Sequence, residues 1–278
     1  MIRRLPITLS CMVFMSILLA GACSTQPVVP SDGIPRVLLQ VTETSDPDAF
    51  DKIVAELRSR NLLAVILIDE SFVNANCERI TSLADEGYEI MAFIRPEDSS
   101  LTLPALTYTE QEALITDTKT AIEACLGRAI DGYRCYMFDQ NEDTYQILDA
   151  LGFVYNLGFV ANSSSSLAGH ATDTLPYRTN DYGFWAIPMH SVVTTGGTKA
   201  FCDMPFRSLS AADWQALLIS EFDRMTAAGH PLLVEVHPYF SGVDAGRFDA
   251  FVAFLDHAVA NGAEFMTTAQ YVTWSQSQ

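Results

Sequence analysis

Between Val37 and Thr267 the chain alternates apolar runs of strand length with segments of helical spacing, and it does so about seven times. The first run is Val37-Leu-Leu-Gln-Val41. It is followed by Asp46-Pro47, an N-cap and first-turn pair, and by Phe50, Ile53, Val54 and Leu57 at helical spacing. Leu62 to Ile68 is apolar throughout, as a strand covered on both faces requires. Helix over 76–86, strand over 88–94, helix over 109–126, strand over 132–136, helix over 142–151 and strand over 154–159 continue the pattern. Later strands are predicted over 183–188, 231–237 and 264–267, with helices over 211–228 and 246–260 between them. Strands that alternate with helices make a parallel sheet. This many repeats favours closure into a single α/β barrel of about seven parallel strands over an open sheet. No GxGxxG turn follows the first strand, which argues against dinucleotide binding.

The amino-terminal residues read differently. Arg3 and Arg4 precede a short apolar core, Val13 to Ala20, and then Leu19-Ala-Gly-Ala-Cys23. So short a core ending in small residues is a secretory signal rather than a spanning helix. Cys23 after small residues is read as a lipidation site, which would anchor an exported protein to a membrane. Residues 1–22 are therefore assigned to a lipoprotein signal, 23–34 to a polar tether and 35–275 to the barrel. Localisation is expected at the cell surface or in the periplasm.

The chain carries 16 Lys and Arg against 34 Asp and Glu, a formal charge of −18. Such a surface repels nucleic acid and anionic headgroups, and suits a neutral or cationic ligand such as a sugar polymer with free amines. Beyond Cys11 and Cys23, four cysteines remain in an exported chain: Cys77, Cys125, Cys135 and Cys202. They predict disulfides, and no CxxC spacing points to zinc. Cys135 at a strand end and Cys202 in a late loop fall on one barrel face. Cys77, beginning a helix, falls there too, whereas Cys125, ending a helix, falls on the other. The predicted bond is Cys135–Cys202.

Chemistry in such a barrel collects at the carboxyl ends of the strands. Gly132-Tyr-Arg-Cys-Tyr-Met-Phe-Asp139 places Arg134, Tyr136, Phe138 and Asp139 there, and Leu148-Asp-Ala-Leu-Gly-Phe153 leads into the next strand. This segment resembles the arginine motif of the polysaccharide deacetylases, the NodB-homology family. Gly87-Tyr-Glu-Ile90 is similar to that family's G-H-E-I, and Val236-His237-Pro238 to its terminal histidine strand. The resemblance spans about Val37 to Thr268. It implies a distorted barrel that hydrolyses N-acetyl groups with a divalent metal, an aspartate base and a histidine acid.

The carried-over positions are largely substituted. Gln40-Val-Thr-Glu-Thr44 stands where the family has T-F-D-D-G, so Thr42 replaces the base and Glu43 the first metal ligand. The two metal histidines fall at Phe93 and Glu97, which leaves Glu43 and Glu97 as oxygen ligands suited to a hard divalent cation. No cofactor is assigned beyond that cation. The resemblance gives His237 the role of acid and Arg134 that of orienting a carboxylate. With Thr42 at the base position, Asp139 is the alternative partner of Arg134, as a site residue or as a structural ion pair. Tyr136, Trp185 and Tyr239 offer aromatic faces to sugar rings, and His190 is a second strand-end histidine. His170 and Ser163 to Ser166 lie in a polar loop that carries no nucleophile elbow.

Three functions follow. The first is an exported deacetylase-like hydrolase of an N-acetylated amino-sugar polymer. The second is a non-catalytic carbohydrate-binding pseudoenzyme. The third is a glycoside hydrolase using two carboxylates among Glu43, Asp69, Asp139 and Glu235. All three take a polysaccharide partner and none takes nucleic acid.

Overall fold

The structure is a computed structural model that describes residues 32–43 and 45–278. The signal, Cys23 and most of the tether lie outside the described residues. In chain order the elements are β1 (Arg36–Glu43), α1 (Pro47–Ser59), β2 (Val65–Ile68), α2 (Glu70–Asp85), β3 (Glu89–Ile94), α3 (Tyr108–Leu126), β4 (Gly132–Cys135), α4 (Glu142–Ala150), β5 (Tyr155–Val160), β6 (Tyr177–Arg178), β7 (Trp185–Met189), β8 (Ser191–Thr194), β9 (Gly197–Ala200), α5 (Ala211–Ala227), β10 (Leu232–Val236), α6 (Ala245–Ala260), β11 (Glu264–Phe265) and α7 (Thr268–Gln276).

The main sheet runs β10-β1-β2-β3-β4-β5-β7-β6, with β11 beside the start of β1. Its pairings from β10 through β7 are parallel, and only β6 joins antiparallel, at one edge. This is the expected barrel of parallel strands, realised as a curled sheet.

Side-chain alternation divides its residues between two cores. Val37, Leu39 and Val41 of β1 point outward beneath the helices, with Ile66, Ile68, Val234 and Val236. Leu38 points inward with Val65, Leu67, Met91, Leu157, Ile187 and Leu233. Helix α7, absent from the sequence reading, lays Tyr271 and Val272 on this inner cluster. It closes the end of the barrel at which the strands begin, and its backbone at Thr268 donates to the Glu89 carboxylate at the start of β3. The opposite end stays open.

The cysteine pairing differs from expectation. Cys77 bonds Cys125, while Cys135 and Cys202 are free and buried. The expectation placed Cys77 at the first turn of a helix beginning at Asn76. Asp69 instead caps α2 by accepting from the Phe72 backbone N–H at 2.9 Å, so Cys77 lies two turns in and beside the last turn of α3. Asn76 marks a kink (φ −133°, ψ 27°) rather than a start.

Candidate functional site

The open end of the barrel holds a cavity of about 810 Å³. Thr42 from β1, Phe93 from β3, Arg134 from β4, and His237 and Tyr239 after β10 line it, with Ser163 to Ser165 from the loop after β5. The inward parity of Leu38 continues through Gln40 to Thr42. The same parity on β10 aims Glu235 inward, opposite Gln40 in the parallel register.

At the floor, Thr42 Oγ1 donates to Glu235 Oε1 at 2.5 Å, and Arg134 Nη2 donates to Glu235 Oε2 at 2.5 Å. Both ions are buried. Burial alone would raise the Glu235 pKa. The positive charges of Arg134 and His237 and the hydrogen bonds from Thr42 and Arg134 outweigh it and hold the carboxyl below its ordinary 4.5. The Arg134 guanidinium lies 3.6 Å from the Phe138 ring centroid and 5.6 Å from that of Phe93. The turn that delivers Phe138 is strained, because Met137 and Phe138 take φ of 58° and 54°, a region that disfavours side chains.

His237 is set by a residue the sequence did not reveal. The segment Phe201–Asp203 adds to the end of β10: the Glu235 N–H donates to the Phe201 carbonyl at 3.1 Å and the Asp203 N–H to the Glu235 carbonyl at 3.2 Å. Asp203 is thereby brought under His237. Its Oδ1 meets His237 Nδ1 at 2.6 Å, and its Oδ2 accepts from the His237 backbone N–H at 2.9 Å and from Ser241 Oγ at 2.5 Å. Burial opposes a charged imidazole, but Asp203 and Glu235 outweigh it and raise the His237 pKa above the ordinary 6.5. The Nε2 atom stands 3.5 Å from Glu235 Oε1. The ring of Tyr239 packs edge-on to His237 at 5.4 Å, and burial keeps its phenol protonated.

The residues present do not fit the metal that the resemblance implies. Glu43 has the outward parity of Val41, is fully buried, and accepts from the backbone N–H groups of Ser45 and Asp46 at the entrance to α1. Glu97 is exposed and off the cavity wall. Phe93 supplies a ring and no lone pair. Among the described residues no group of three His, Cys, Asp or Glu side chains is placed to hold a metal ion.

Of the residues singled out from sequence, Arg134, His237, Tyr136 and Tyr239 share the cavity wall with Thr42, Phe93, Phe138, Cys202 and Ser163 to Ser165. The others lie apart. Asp139 does not reach Arg134 but accepts from Thr102 Oγ1 at 2.6 Å, because Glu235 already occupies the guanidinium. Trp185 opens β7, at the end where strands begin, and stacks beneath Arg178 at 4.9 Å. His190 lines a second cavity and contacts Glu221 Oε2 at 2.8 Å. Burial there would raise the Glu221 pKa, but His190 and Arg224 pull it down to about 2. His170 stacks on Tyr177 at 4.0 Å and pairs with Asp173. Asp69 caps α2 and pairs with Arg95 at 3.2 Å, and among the described residues none of Glu43, Asp69 and Asp139, the carboxylates considered with Glu235 for a glycosidase pair, lines the cavity.

No family model matches the sequence, and no curated protein sequence matches it. Solved structures do. A putative polysaccharide deacetylase from Mycobacterium smegmatis superposes with a TM-score of 0.63 at 18% identity, covering 90% of this chain and 96% of that one. A probable polysaccharide deacetylase from Pseudomonas aeruginosa PAO1 gives 0.67 at 14% identity, covering 90% and 95%. A CE4 family pseudoenzyme from Bacillus anthracis gives 0.52 at 11% identity, covering 85% and 66%. At such identities the likeness is one of fold: the chain has the NodB-like barrel of the polysaccharide deacetylases, in a divergent form.

Proposed function

We propose that this chain binds an amino-sugar polymer in the cavity at the open end of its barrel and does not hydrolyse it by a metal route. One observation carries the proposal. The cavity keeps the histidine, arginine and aromatic side chains of a saccharide cleft, while Phe93 and Thr42 stand where the resemblance puts a metal ligand and the catalytic base. Glu235 does not restore that base. Its two oxygens are held by Thr42 and Arg134, and it is shielded from the cavity. Tyr239 and Tyr136 supply faces for sugar rings, and His237 Nε2 and the serines after β5 supply polar contacts. We also propose export and membrane attachment through an acyl chain on Cys23, for which mass measurement of the amino-terminal peptide is the test.

A deacetylase reading is favoured by one feature, the Asp203–His237 pair, which has the geometry of an oriented acid. N-acetylated chitooligosaccharides separate the two. The expected result is saturable binding with no acetate released, with or without added divalent ions, and no new reducing ends. Acetate release that depends on added metal would overturn the binding reading in favour of hydrolysis.

A further inference from the structure

The overall charge of the chain and the charge of its cavity have opposite signs. Acidic residues outnumber basic ones 34 to 16, and from that excess a neutral or cationic ligand was expected. Yet the charged or chargeable side chains on the cavity wall, leaving aside the two tyrosines and the Cys202 thiol, are Arg95, Arg134, Arg207 and His237, with no Asp or Glu beside them. The carboxylates that balance this set sit behind the wall. Glu235 and Asp203 are 0% exposed and Asp69 is 9% exposed. A ligand in the cavity therefore meets the donor side of each pair.

Two of the arginines retain capacity. Arg207 is exposed and enters no ion pair among the described residues. Arg95 holds Asp69 through Nη2 at 3.2 Å, and its side chain, 36% exposed, lines the cavity. Guanidinium groups read planar or tetrahedral oxyanions through paired N–H donors. The hydroxyls of Ser163 and Ser164 add neutral donors on the same wall.

Resting on the binding function proposed above, we infer that the polymer taken by this cavity is acidic, bearing an oxyanion on or next to its amino sugar, and that Arg207 and Arg95 select it. The anionic surface elsewhere then repels such a polymer everywhere except at the mouth, which favours end-on or single-site engagement over coating.

The test compares hexasaccharides by calorimetry on the folded chain. Chitohexaose is neutral, its fully deacetylated form is cationic, a hyaluronan hexamer carries carboxylates, and a chondroitin sulfate hexamer carries carboxylates and sulfate esters. An acidic hexamer is expected to bind about tenfold more tightly than chitohexaose at low salt, with the advantage shrinking as salt rises. Which acidic hexamer binds better identifies the oxyanion. Arg207→Gln, a surface change that leaves Arg95 in place, should reduce the acidic preference about threefold with the melting temperature unchanged. Preference for the neutral or cationic hexamer, or an acidic preference that survives Arg207→Gln undiminished, overturns the charge inference and leaves saccharide binding standing. Absence of binding to all four overturns both.

Discussion

Thr42, Arg134 and Glu235 form a buried group whose members come from three strands, and its energetics are lopsided. A buried ion pair contributes little net stability when intact, because desolvation offsets the attraction. Removing one member strands the other. Glu235→Leu removes the carboxylate while keeping a side chain of similar bulk, and leaves Arg134 charged and buried without this counter-ion. The expected loss is about 3–5 kcal/mol in urea denaturation. Thr42→Val removes a single hydrogen bond to the same carboxylate and should cost about 1–2 kcal/mol. Equal costs for the two would show that Arg134 finds another partner. At this scale the sequence revealed what depends on strand position and little of what depends on loops. Arg134 and His237 were found because strand ends point into a barrel mouth. Asp139 was mistaken for the partner of Arg134 because it is near in sequence, whereas Glu235 reaches the guanidinium across the barrel interior, from β10 to β4. Asp203 has no periodicity or motif around it. Only the pairing of the 201–203 segment with β10 brings it to His237.

Elements repeat the lesson. The strands were legible because a strand buried on both faces must be apolar throughout. Helix starts were less so: the second helix was expected from Asn76, whereas α2 begins at Glu70 behind its cap Asp69. The stretch after β7, to which the sequence assigned no strand, forms the hairpin of β8 and β9, which is half-exposed and so lacks an apolar signature. The Cys77–Cys125 bond joins the middle of α2 to the end of α3 across a separation of 48 residues. Closing a loop of that size restricts the unfolded chain by up to about 4 kcal/mol. The Cys77→Ala/Cys125→Ala variant is expected to lose about 2–4 kcal/mol in chemical denaturation. It should keep its saccharide affinity, because neither cysteine lines the cavity. Cys135 is buried with its thiol pushed up to about 11, so alkylation of the native protein should leave it unlabelled. Rapid labelling of Cys135 without denaturant would show that β4 opens locally.

For the whole molecule, the alternation of strand and helix left the barrel as the natural topology, while the closure of its lower end by α7 was not foreseen. That closure has a pH consequence. Glu89 opens β3 beneath α7, and burial pushes its carboxyl up to about 7, against the lowering effect of its hydrogen bonds from the first residues of α7. In the unfolded chain the same group titrates near 4.5. Between those values the folded state binds more protons than the unfolded one, so stability falls as pH rises from about 4.5 to about 7. His237, with its pKa raised, adds a loss in the same direction above 6.5. Glu235 acts oppositely. Its lowered pKa contributes stability that is present above 4.5 and is lost as pH falls through its folded value. Glu89 and His237 together shift maximum stability to the acid side of neutrality, Glu235 opposes them at lower pH, and a lower pH also relieves the self-repulsion of a chain at −18. Glu89→Gln keeps the acceptor for the α7 backbone and removes the ionisation. Its denaturation midpoint should stay flat from about pH 4.5 to 6.5, where the parent declines, and should exceed the parent's at pH 7. A parent that gains stability across that interval, or a variant that declines as steeply, would show that the Glu89 carboxyl reaches solvent and that α7 seals the barrel less tightly than its contacts with the inner cluster imply.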